Sequence, residues 1–222
     1  AAKSLLDKDK LKSLLFRLTD IHSPTGSTHA ACSMLVDHLR DMPSVDAKVM
    51  SMAGESAAGY ARLRGAGGGA NLLLYAPIDT HLEGDESDTP WVGPKVTADL
   101  LPEAKMVDDW VFGLGSSNPK AMVATLAEVF RCVREANVPL LGDLSLGFAD
   151  GGMPVTIPER GHAGMSNGIL HLLNRGGSPD FCIIMKPWIW VYHEEPGMGW
   201  FKITVHGTLG YAGVPRGTPG FR

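Results

Sequence analysis

Leu72-Leu-Leu-Tyr-Ala-Pro-Ile-Asp79 is the stretch on which the reading of this chain turns. Residues 71–75 are an apolar stretch of the kind that forms a strand buried on both faces. Asp79 closes the segment, and His81 follows two residues later. The ends of buried strands are where layered α/β sheets place their ligands. Asp79 and His81 are therefore either a functional pair or a loop pair satisfying each other.

Just upstream, Gly65–Gly69 precedes the strand instead of following one, so it lacks dinucleotide-loop geometry and is expected to be a hairpin turn. Two further strands are expected near Ala47–Met52 and Gly59–Leu63. Before them, Leu5, Leu6, Leu11, Leu14, Leu15 and Leu18 recur at helical spacing. Pro24 and Gly26 break the chain, and Ser27 or Thr28 is placed to cap a second helix carrying Leu35, Val36 and Leu39.

Downstream, residues 80–110 are polar, contain Pro90, Pro94 and Pro102, and are expected to form a long surface connection. A helix is expected over Lys120–Ala136, with Met122, Val123, Leu126, Val129, Phe130 and Val133 on one side. Strands near Leu144–Phe148 and Phe181–Met185 flank a shorter helix at about Asn167–Asn174. Alternating strands and helices predict a three-layer αβα domain around a largely parallel, mixed sheet, spanning residues 1–199. From Trp200 the pattern shifts to an alternating strand through Phe201, Ile203 and Val205, then to a Gly/Pro-rich stretch. Residues 200–222 are expected to begin a smaller α+β lid domain, interrupted at Arg222.

Composition excludes several classes of function. A chain with 44% hydrophobic and 20% charged residues is ordinary for a globular protein. A net charge of −4 supplies no basic field for nucleic acid or an anionic membrane. No apolar run reaches the roughly 20 residues of a membrane helix. Lys3, Asp7, Lys8, Asp9 and Lys10 interrupt the N-terminus where a secretory signal would be apolar, which points to the cytoplasm. Cys32, Cys132 and Cys182 match neither a disulfide framework nor a metal knuckle and are expected to be buried thiols in a reducing compartment.

Three motif-like stretches do not hold up. Gly113-Leu-Gly-Ser-Ser-Asn-Pro-Lys120 lacks the Gly before Lys and the Ser/Thr after it that a phosphate loop needs. Ser117-Asn-Pro-Lys120 has the Ser-x-x-Lys spacing of penicillin-recognising enzymes but no companion Lys-Thr-Gly. Gly164-Met-Ser-Asn-Gly168 matches a nucleophile elbow, yet Pro158-Glu-Arg-Gly-His-Ala163 supplies no buried strand before it, so Ser166 is expected to cap a helix.

Four segments in order resemble the co-catalytic zinc exopeptidases and deacylases, the family of aminoacylase, acetylornithine deacetylase and succinyl-diaminopimelate desuccinylase. Leu72–Asp79 stands where that family has a strand ending in His-x-Asp. Val111-Phe-Gly-Leu-Gly-Ser-Ser-Asn-Pro-Lys120 is similar to its Gly-x-Gly-x-x-Asp-x-Lys. Leu144-Ser-Leu-Gly-Phe-Ala-Asp-Gly-Gly152 resembles a strand followed by Asp-Glu-Glu, and Pro179-Asp-Phe-Cys-Ile-Ile-Met-Lys-Pro187 a strand ending in Glu-Pro. Val205-His-Gly-Thr-Leu-Gly-Tyr-Ala-Gly-Val-Pro215 resembles the start of the family's lid.

The resemblance implies two zinc ions, a bridging carboxylate and a glutamate that activates the shared water. Carried over position by position, the first ligand falls on Pro77 and the bridge on Asn118. The catalytic base and its neighbouring ligand fall on Gly151 and Gly152, another carboxylate on Lys186, and the lid histidine on Tyr211. Only Asp79 matches. An ammonium repels a divalent ion by about 8 kcal/mol at about 4 Å and an effective dielectric near 20.

The expectation is a metal-free relative with no cofactor, whose cleft binds a small acyl-amino-acid-like or peptide-like ligand or serves assembly, including a homodimer through the lid. Lys186 is expected to pair with Asp79 or Asp150 in place of the metal. Two alternatives stand beside it. One is hydrolysis by a rewired or single-metal site built from Asp79, His81 and Asp150, with His193, Glu194 or Glu195. The other is a pure interaction module, for which a filled cleft would speak.

Overall fold

The structure, a computed structural model, describes residues 2–153, 156–157, 162–163, 166–176, 178–187 and 190–194. The chain divides into two units, Ala1–Trp188 and Ile189–Arg222, and the fold below is that of the first. Glu195, Tyr211 and the expected lid strand lie outside the described residues.

A 3-10 turn at Ala2–Leu5 leads into α1 (Lys8–Thr19), whose N-cap Asp7 accepts from the amides of Asp9 and Lys10. Then come α2 (His29–Arg40), β1 (Asp46–Ser51), β2 (Ala57–Leu63) and β3 (Leu72–Pro77). The connection after β3 holds α3 (Thr89–Val92) and a hairpin of β4 (Lys105–Val107) and β5 (Trp110–Phe112). Beyond it lie α4 (Lys120–Glu135), β6 (Leu144–Ala149), the short pair β7 (Thr156–Ile157) and β8 (His162–Ala163), α5 (Asn167–Gly176) and β9 (Phe181–Ile184). Residues 80–110 are thus more structured than the sequence suggested. The buried Asp88 carboxylate accepts from the Glu83 and Gly84 amides and folds the first part of this connection on itself.

The main sheet runs β1-β2-β6-β3-β9. β1 and β6 flank β2 antiparallel, while β6 and β9 flank β3 parallel, so the sheet is mixed. Strand alternation sorts the side chains into two cores. Ala57, Ala61, Leu63, Leu74, Ala76, Leu144, Leu146 and Phe148 face α1, α2 and α4. Tyr60, Leu73, Tyr75 and Ala149 face the other way, against Leu172 of α5. Each fully buried Leu or Phe contributes about 2 kcal/mol of transfer free energy, so these faces fix the register of every strand. Val129, expected on the buried side of α4, is 36% exposed, because Val123, Leu126, Ala127 and Phe130 already fill the contact.

The back of α4 carries a buried ion pair, Arg131 with Glu128, and Arg131 also binds the exposed Glu135. Arg131 also donates to Leu5 O and Glu128 accepts from Asp7 N, so the pair anchors the N-terminal turn to α4.

Two expectations change here. Gly65–Gly69 is not a hairpin turn, because β6 inserts between β2 and β3. Its glycines serve a close crossing instead. A Cβ on Gly65 would overlap the carbonyl of Gly142, and one on Gly142 would overlap that of Ala70. The backbones approach so closely that side chains are excluded.

Cys32 and Cys132 are buried, but Cys182 on β9 is exposed. A strand with Phe181 at 66%, Ile183 at 53% and Ile184 at 49% exposure gives its cysteine no cover. Titrating the native chain with a thiol reagent is expected to modify one cysteine rapidly, Cys182, and all three after denaturation; three equal rates in the native state would contradict this burial pattern.

Candidate functional site

β3 and β6 are parallel neighbours with Pro77 opposite Ala149, so the residues just beyond both strands emerge together at one end of the sheet. Those residues are Asp79 and Asp150, at 0% and 2% exposure. The loop between α1 and α2 covers them. Thr25 N donates to Thr80 O at 2.9 Å and Thr80 N to Ser23 O at 2.9 Å, which makes this loop a short extension of the sheet.

The hydrogen bonds of the two carboxylates follow from that placement. Asp79 accepts from the Thr25 hydroxyl at 2.7 Å, from Gly152 N at 3.1 Å and from Met153 N at 3.3 Å. Asp150 accepts from Gly26 N at 3.0 Å, from the Thr28 hydroxyl at 3.1 Å and from the amide of Gly151. Of the two candidates for the cap of α2, Ser27 and Thr28, Thr28 takes the N-cap position, but its side chain makes no capping bond. Its hydroxyl accepts from Ala57 N at 3.1 Å and serves Asp150 instead. Residues 150–153 therefore wrap from one carboxylate to the other, with hydroxyl and amide donors on both.

Electrostatically the two acids are close enough to interact. Burial pushes Asp79 up to about 6, with the charge of Asp150 adding to the rise; the Thr25 hydroxyl and the Gly152 and Met153 amides oppose it. Beneath them, burial drives the Cys32 thiol far above its ordinary range, so it is an inert core thiol. His81 is exposed in the turn beyond Thr80, apart in environment from the buried acids. His193 and Glu194 are exposed within the second unit.

Human carnosine dipeptidase 1 superposes on the chain with a TM-score of 0.58 at 14% identity, covering 82% of this chain and 40% of its own. The chain shares its fold with that dipeptidase. The LapA aminopeptidase of Legionella pneumophila gives a TM-score of 0.55 at 9% identity, over 82% of this chain and 43% of that one. LapB of the same organism gives 0.52 at 12% identity, over 80% and 42%. At such identities the likeness is one of fold. This chain spans less than half the length of these structures. No family model matches the sequence, and no curated protein does.

Within this fold, the positions singled out by sequence converge in part. A Cβ added to Gly152 would overlap that of Pro77 and stand 3.4 Å from Asp79 Oδ1, so Pro77, Asp79 and Gly152 meet at one point. β9 pairs with β3 so that Tyr75 lies opposite Ile184, and the same offset brings Lys186 to the level of Pro77. Lys186 itself is exposed. Gly151 has φ 73° and lies against the start of α5, where Ser166 N donates to Gly151 O at 2.8 Å. Ser166, with φ 58°, accordingly sits at a helix start. Asn118 is exposed ahead of α4, next to a cis bond to Pro119. Among the described residues, no group of three or more His, Cys, Asp or Glu side chains is arranged to hold a metal ion.

One residue of this region had no role assigned from sequence. Lys120, last in the Gly113–Lys120 segment, is fully buried. Its ammonium donates to Ile21 O at 2.6 Å, and its stem packs at the Cα side of Gly115, next to Thr80. It ties the start of α4 to the loop that covers the two acids. Burial lowers it to about 8, with Asp20 pulling the other way. A lysine after a Gly-x-Gly turn, at a helix start and followed by Ala-Met-Val-Ala, was the available signal.

Proposed function

We propose that this chain is a metal-free, non-catalytic relative of the zinc exopeptidases, acting through binding or assembly and not through hydrolysis. The observation that carries this reading is the donor chemistry at the end of β3 and β6. A dizinc centre needs imidazole or carboxylate at each coordinating position. Pro77 and Gly152 offer no donor atom, Asn118 offers a neutral amide, and Lys186 brings a cation. These residues do not fit two zinc ions. The acids that remain, Asp79 and Asp150, already accept hydrogen bonds from Thr25, Thr28, Gly26, Gly151, Gly152 and Met153. Their lone pairs hold the loops of this region together.

The apolar surface supports assembly. β9 exposes Phe181, Ile183 and Ile184, and the β4–β5 hairpin exposes Val107, Trp110 and Phe112. Exposed aromatic and aliphatic groups on strand edges suit contact with another polypeptide or a peptide-like ligand.

The test is zinc retention. The chain is incubated with zinc, desalted and subjected to elemental analysis. Less than about 0.1 equivalent is expected, since structural and catalytic zinc both need three or four protein donors. One or two retained equivalents would overturn the reading and restore the rewired or single-metal hydrolase, to be followed by an amidase assay on N-acyl amino acids.

A further inference from the structure

The contact between Gly152 and Pro77 says more than that two ligands are missing. A Cβ on Gly152 would overlap the Cβ of Pro77 and come within 3.1 Å of its Cγ, where carbon atoms need about 3.5–4.0 Å. Gly152 is outside the left-handed region, unlike Gly151 with φ 73°, so its own backbone poses no obstacle to a side chain. The obstacle is Pro77. At this separation the chain has room for a side chain at residue 77 or at residue 152, but not at both.

The loop is held at that separation. Gly152 N and Met153 N donate to Asp79, which is two residues beyond Pro77 and completely buried. Moving residue 152 away from Pro77 would strip both amide bonds from a buried carboxylate. Ala149, opposite Pro77 in the β3–β6 ladder, fixes the other side of the loop's starting point.

We infer that Pro77 and Gly152 are a matched pair through which the end of β3 and the loop after β6 have closed on each other, so that the crevice excludes a metal by shape as well as by donor chemistry. The functional weight of this pair rests on the metal-free reading, but its geometry stands independently of it. A donor returned to residue 152 alone would meet the Pro77 ring. A histidine returned to residue 77 would keep the Cβ that bars residue 152. The site is therefore not one substitution away from a working ligand set.

A double-mutant cycle on the full chain tests the pairing, using Gly152→Ala, Pro77→Gly and the two combined, with the midpoint of thermal unfolding as readout. Overpacking of this kind is expected to lower the midpoint by roughly 5 °C for Gly152→Ala alone. In the Pro77→Gly background, where the colliding Cβ is gone, the same change is expected to cost less than about 1 °C. If Gly152→Ala alone does not fold, folding of the double variant supports the pairing and failure of both overturns it. An equal drop in the two backgrounds, or no drop in either, also overturns it. Zinc retention by the unsubstituted chain would sink the metal-free reading without altering what the cycle reports.

Discussion

Lys120→Met is expected to reverse part of the pH dependence of stability at alkaline pH. The ammonium is fully buried against Ile21 O, and burial lowers it from 10.5 to about 8. Between pH 8 and 10.5 the unfolded chain holds a proton that the folded chain has released. Wild-type stability from this group is therefore complete above pH 10.5 and lost as the pH falls through 8. At 1.36 kcal/mol per unit, the difference between wild type and the Met variant should change by about 3 kcal/mol over that window. The wild type gains as the pH rises. Chemical denaturation of both proteins at pH 7.5 and pH 10.5 measures it, and tyrosines and other alkaline groups cancel in the comparison. A pH-independent difference would mean that Lys120 is solvated.

Asp79→Asn should show the opposite sign at acid pH. Asp79 is pushed from 3.8 up to about 6 by burial, with Asp150 adding. Between those values the folded chain binds more protons than the unfolded one. The stabilisation is fully present below pH 3.8 and is lost as the pH rises through 6. Wild type is expected to lose about 3 kcal/mol relative to the Asn variant between pH 4 and pH 7. The variant carries its own constant penalty, because an amide cannot accept from Thr25, Gly152 and Met153 together. That penalty shifts the whole difference curve and leaves its slope unchanged. Matched denaturation curves across this range decide the matter, and a flat difference would show that Asp79 is ionised down to its ordinary range.

The elements that carry the core were legible in the sequence because burial imposes a pattern on residue choice. β3 and β6 are apolar runs, and α4 spaces Val123, Leu126, Ala127 and Phe130 along one side. The order of strands was not legible. Nothing in Gly65–Gly69 distinguishes a turn between neighbours from a crossing around an inserted strand, and the partner of those glycines, Gly142, lies 73 residues after Gly69. Thr28 misled for a related reason. A threonine before a helix is a local capping signal, but Asp150 competes for its hydroxyl from the far end of the domain. Cys182 looked buried because its neighbours are apolar, whereas β9 lies at the margin of the described sheet and leaves them exposed. At the candidate site, Asp79 and Asp150 could be picked out as acids at strand ends. The backbone amides that bind them could not, since a main-chain donor has no signature in the sequence. Lys120 was hidden by the ordinary expectation that lysines are solvated.

The loop over the two acids also imposes an order on the making of the molecule. Gly26 and Asp150 are 124 residues apart in sequence. At a synthesis rate of about 5–20 residues per second, the nascent chain waits roughly 6–25 s between exposing the amide and supplying the carboxylate. Thr25 meets Asp79 well before that, so the first half of the clasp can form during that interval while the second cannot. Through that interval the two N-terminal helices and β1–β3 lack the strand that belongs between β2 and β3, and both flanks of that slot are open to a strand from another chain. Arrival of β6 closes the slot and delivers Asp150 to the loop in the same event. The acid pair is thus a seal on the strand that enters between β2 and β3, set only when β6 has taken that place.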